Sequence, residues 1–150
     1  MSTLTEPGTG SAIAARLERV RMASFGALTM LILQFVIGTA YNLYGTAPTA
    51  KKSVGLFSSP LLAIHVILGI LLIIAAAMLV FRAVQARAGA VLLATSIVGL
   101  VAILGAAGAG SSFAQNGANG ASLGMAIATA VAMLCYAANL VIIPRGKRSG

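Results

Sequence analysis

Four apolar stretches without one Asp, Glu, Lys or Arg constrain this chain more than any other feature: Ala23–Leu43, Pro60–Phe81, Ala90–Gly108 and Leu123–Ile143. Each is about 20 residues, which at ~1.5 Å rise per residue crosses a ~30 Å hydrocarbon layer as a helix. In a chain of 150 residues, four such spans leave only short connections and two tails too small to fold alone. A soluble catalytic domain is excluded by that arithmetic, so chemistry has to sit between helices or at a membrane face. A mean hydropathy of +1.02 and 59% hydrophobic residues fit a chain whose main solvent is lipid. The expected fold is all-α: an antiparallel four-helix transmembrane bundle.

A net charge of +8 would suggest nucleic acid in a soluble protein, but its distribution points elsewhere. Arg16, Arg19 and Arg21 precede the first span. Arg82 and Arg87 lie between the second and third, and Arg145, Lys147 and Arg148 follow the fourth. Only Lys51 and Lys52 fall on the other side, and the last connection carries no charge. The positive-inside rule then predicts N-in, C-in topology, with residues 1–21 a cytoplasmic tail bearing a juxtamembrane helix. Residues 22–143 form the four-span domain and residues 144–150 a basic cytoplasmic tail. The basic segments orient the chain and touch anionic headgroups. Neither aromatic interleaving nor a recognition module supports nucleic acid as a partner.

The apolar run after the basic segment is longer than the h-region of a secretory signal, so the first span reads as a retained anchor despite the small residues Gly45-Thr46-Ala47. Residues 1–10 read as disordered, and Ser11 is a candidate cap for the juxtamembrane helix. Ser59 followed by Pro60 is a strong helix-start signal for the second span. The short Arg82–Arg87 turn predicts antiparallel neighbours. Ser111–Ser122, rich in Gly, Asn and Ser, predicts a flexible outer loop, and Pro144 ends the fourth span. Cys135 is the single cysteine, which excludes an intramolecular disulfide and reads as an inert thiol within a span.

In lipid, helices associate by close packing and interhelical hydrogen bonds. Gly120, Gly124, Ala128 and Ala132 recur every four residues and predict a close approach of span four. The partner is span three through Ala102, Ala106 and Gly110, or a second copy of the chain. Thr95, Ser96, Tyr136 and Asn139 lie at similar depth and predict hydrogen bonding between those two spans.

His65 is the one ionisable group within a span. On span one, Gln34, Gly38 and Tyr41 share a stripe with Asn42 at its edge, in the same half of the layer. A polar packing cluster of Gln34, Tyr41, Asn42 and His65 is the expected arrangement. Two further roles compete: a b-type haem ligated by His65, with Met125 or a second copy's His65 as the other axial ligand, and a proton-responsive site. A lone histidine gives haem little support. Four short helices resemble the size class of the small multidrug antiporters, whose coupling uses a membrane-embedded glutamate. Glu6 and Glu18 are the only acids, and both precede the first span.

No Ser/His/Asp set, HExxH motif, P-loop or metal-spaced cluster is present, so enzymatic activity is not expected. The expected role is a non-enzymatic accessory or assembly subunit of a larger membrane complex, partnered by lipid and by other membrane proteins or further copies. The alternatives are a haem- or quinone-binding electron-transfer subunit using His65, and a small channel or transporter. In composition the Ala/Gly/Val/Leu-rich spans resemble small multi-pass proteins of the bacterial inner membrane, a likeness that transfers no site.

Overall fold

A computed structural model describes residues 8–45, 48–49, 53–117 and 119–143. The tail 144–150 with its basic residues, Lys51, Lys52 and residues 1–7 lie outside them. Four helices are formed: α1 Gly8–Tyr44, α2 Pro60–Gln85, α3 Ala90–Asn116 and α4 Asn119–Ile142. Each is long and apolar enough to cross a membrane. At ~1.5 Å per residue α1 is about 56 Å long, well beyond a ~30 Å layer, so the Arg16–Arg21 segment is its continuous extension.

Local chemistry explains the helix ends. Ser59 is extended (φ −141°, ψ 151°) and its hydroxyl accepts from the Leu62 amide at 3.2 Å, with Pro60 opening α2. The missing proline N–H is no loss there, because the first-turn amides have no helical partner. At the other end the Ala88 amide donates to the Ala83 carbonyl and the Arg87 amide to Val84, both at 3.0 Å. This is a Schellman closure, with Arg87 at φ 49° in the left-handed position that glycine usually takes. α1 begins at Gly8, so Ser11 lies inside its first turn rather than capping it.

The Ser111–Ser122 segment differs from the expected loop. α3 continues to Asn116 and α4 restarts at Asn119. A side-chain bond from Gln115 to Ser111 at 3.2 Å supports the last turns of α3, and Gly117 at φ 66° closes the helix by donating to Phe113. A Cβ at position 117 would run into the Pro48 carbonyl. The α1–α2 connection therefore crosses the end of α3, where the Val54 amide donates to the Ala114 carbonyl at 3.0 Å. That bond satisfies one of the carbonyls a helix C-terminus leaves without a partner.

Consecutive helices run antiparallel and pack on one another, α1 closes the ring against α4, and the diagonal pairs do not meet. The α3–α4 interface is the most extensive. Buried positions follow one spacing on every helix: Val20, Ser24, Ala27 and Leu31; Leu72, Ala76, Leu79 and Ala83; Leu92, Ser96, Gly99 and Ile103; Thr129, Ala132, Tyr136, Asn139 and Ile143. Steps alternating between three and four residues are the heptad spacing that keeps one seam facing its neighbours. The seams mix aliphatic residues with small and polar ones, while many large apolar side chains such as Leu134 (71% exposed) and Val84 (57%) point outward. No more than 22% of the apolar stretch of any helix is buried. The molecule is thus apolar outside, with its polar groups in the seams.

Candidate functional site

Two polar residues meet between α1 and α2. The Gln34 amide nitrogen donates to the His65 carbonyl at 2.9 Å and stands 3.2 Å from His65 Nε2. An amide nitrogen only donates, so Nε2 must accept and the ring proton sits on Nδ1. A Cβ at Gly38 would come within 2.8 Å of His65 Cε1, and a Cβ at Gly69 within 3.1 Å of Gln34 Nε2. Each helix thus offers a polar residue and, four residues on, a glycine that receives the other's side chain. Because the helices are antiparallel, Gln34 faces Gly69 while Gly38 faces His65.

The pair is incompletely satisfied. Gln34 Oε1 and His65 Nδ1 are both buried without a hydrogen-bond partner. A group of this kind, shut away from water, costs about 1–3 kcal/mol, so two in contact side chains are unusual. Both residues line a cavity of about 410 Å³ to which all four helices contribute. Its wall is mostly aliphatic, with Leu31, Leu72, Ile73 and Ile103 among the lining residues, and the α1–α2 connection covers it through Pro48, Val54 and Leu56.

Tyr41 is half-buried and lines this cavity, as does Asn42, whose residue surface is exposed. Met125 also lines it, half-buried, with its sulfur 3.2 Å from where a Gly110 Cβ would stand. His65 and Met125 therefore border one space. The lone pair of His65 Nε2 is directed to the Gln34 amide and Nδ1 carries the proton, so ligation of haem iron through Nε2 would require Gln34 to turn away.

In the small-residue stripe of α4, Ala132 is fully buried and Gly124 faces Ala109 at 4.0 Å. Gly120 has nothing within 4 Å of its Cβ position.

A second polar group lies toward the other end of the molecule. Asn139 Nδ2 donates to Ser96 Oγ at 3.1 Å and reaches Ser24 Oγ at 3.4 Å, while its Oδ1 accepts from the Thr95 hydroxyl. Ser96 in turn donates to the Leu92 carbonyl at 2.7 Å. The Tyr136 ring lies over Gly99, where a Cβ would stand 2.6 Å from Cε1, and its hydroxyl is buried without a partner. Sequence reasoning missed Ser24 and Gly99; the signal for both is the alternating three- and four-residue spacing of the seams.

At the same end, Arg16 Nη1 donates to the Gln85 carbonyl at 3.0 Å, and Arg16, Arg19, Arg82 and Gln85 border an open crevice. Glu18 pairs with Arg21 at 3.7 Å, an exposed contact of little energetic weight. Among the described residues no group of three His, Cys, Asp or Glu side chains converges. In comparisons with known proteins, no family model, no curated protein and no solved structure matches the chain.

Proposed function

We propose that this chain is a four-span integral membrane protein with both ends cytoplasmic, acting as a non-enzymatic accessory or assembly component of a larger membrane complex. The observation that carries the reading is an outward face rich in large apolar side chains together with a buried group around Asn139 whose polar side chains are occupied with one another. Asn139, the most heavily bonded of them, uses its amide to join α1, α3 and α4. Side chains committed in this way hold helices together rather than turn over a substrate. Arg16, Arg19 and Arg82 gather at one end, which supports that end as cytoplasmic. The composition of the spans favours a bacterial inner membrane.

The test is extraction in mild detergent at native expression, followed by native gel migration and identification of partners. Co-migration with a complex several times the size of the 15.0 kDa chain is expected. Migration alone, or only with copies of itself, would overturn the accessory role. A second reading, a membrane component that holds a small lipid-soluble molecule, is favoured by the cavity at Gln34 and His65 and is developed next.

A further inference from the structure

The cavity beside Gln34 and His65 poses two demands at once. Its volume of about 410 Å³ lies within the ~300–1,000 Å³ of small-molecule sites, with a mostly apolar wall and few polar groups. Gln34 and His65 both line it, and on them an acceptor, Gln34 Oε1, and a donor, His65 Nδ1–H, are closed off without a partner. Water alone meets these demands poorly. At ~30 Å³ each, about 14 molecules would be needed to fill the space, and a mostly aliphatic wall anchors few of them. A bare hydrocarbon chain fills the space but leaves both polar atoms unpaired.

A hydroxyl on an apolar chain answers both. Its oxygen accepts from Nδ1–H, its hydrogen is donated to Oε1, and the chain lies against Leu72, Ile73 and Ile103. Both polar atoms are closed off in the empty arrangement, so small rotations of the two side chains accompany binding. We propose that this cavity is a binding site for a lipid-soluble aliphatic alcohol, with its hydroxyl between His65 and Gln34. The inference rests on the membrane-spanning reading, since the lipid phase is what delivers such a molecule. It is independent of the accessory role.

His65 is the only histidine in the chain, so histidine labelled with ¹⁵N in the ring gives a single imidazole to observe. The labelled protein is reconstituted in nanodiscs, and flotation with liposomes of the same lipid tests membrane insertion separately. The probes are farnesol and the matching hydrocarbon, farnesane. The ring is expected in the Nδ1–H neutral form. Farnesol should shift the Nδ1 signal saturably, whereas farnesane at equal concentration leaves it in place.

Gln34→Leu should weaken the farnesol response about tenfold, the loss of one hydrogen bond. Ala106→Phe, which adds bulk to the cavity from α3, should abolish the response while the ring signal stays in its unliganded position. An equal response to both probes, or none to farnesol, in protein that floats with liposomes would overturn the proposal. Protein that fails to float would overturn the membrane reading instead.

Discussion

The two polar centres use the same device and close it differently. In each, a side chain able to hydrogen-bond is seated against a glycine on the neighbouring helix: His65 on Gly38 and Gln34 on Gly69 at one end, Tyr136 on Gly99 at the other. At the Asn139 end, three helices contribute and the asparagine finds a partner for both amide atoms, the Tyr136 hydroxyl alone staying buried without one. At the His65 end, two helices contribute, one atom of each side chain has no partner, and a cavity lies alongside. The difference teaches that a polar residue inside an apolar bundle is not one kind of feature. With both amide atoms paired, as in Asn139, it fixes which helices touch; partly unpaired beside a cavity, as in Gln34 and His65, it keeps hydrogen-bonding capacity unused.

Three substitutions sharpen the contrast. The largest effect is expected from Gly99→Val, because its Cβ would stand 2.6 Å from the Tyr136 ring within the tightest interface. Overpacking of this kind costs about 3 kcal/mol, read as a lost or strongly weakened folding transition in steric-trapping or detergent-denaturation measurements. Asn139→Leu removes bonds to three partners, leaving Thr95 and Ser96 with only their backbone carbonyls and Ser24 without the asparagine amide, for a loss of about 2 kcal/mol in the same assay. Gln34→Leu should be the smallest, within about 1 kcal/mol of the parent. It frees His65 Nε2 but removes an acceptor that was already unpaired, and a leucine fills much of the same space. Equal losses from Asn139→Leu and Gln34→Leu would erase the distinction between the two centres.

The apolar spans were legible because absence of charge over about 20 residues has a single physical explanation. Helix ends were less so. Composition made Ser111–Ser122 look like a loop, yet the terminator is Gly117 alone, and no local property separates it from Gly110 or Gly120. What distinguishes Gly117 is the Pro48 carbonyl beside it, a contact set by distant chain. The candidate site shows a similar limit. Gln34 and His65 stand out as polar residues in apolar runs, and the structure places them within hydrogen-bond distance. Their unpaired atoms and the cavity depend on how far apart four helices settle, which no stripe encodes. Asn42 illustrates the converse: its depth in the sequence matched the cluster, but it sits one residue off the seam and is exposed.

The crossing of the α1–α2 connection over α3 bears on how freely this chain can change. Val54 donates its amide hydrogen to the Ala114 carbonyl, which proline alone cannot do, and its half-buried side chain borders the cavity. Gly117 answers two separate demands, a positive φ and a carbonyl standing where a side chain would begin. Substitution at position 54 is therefore much less restricted than at position 117, although both residues lie at the same end of the molecule. A saturation library selected for membrane-inserted protein would recover a range of apolar residues at the first position and glycine at the second.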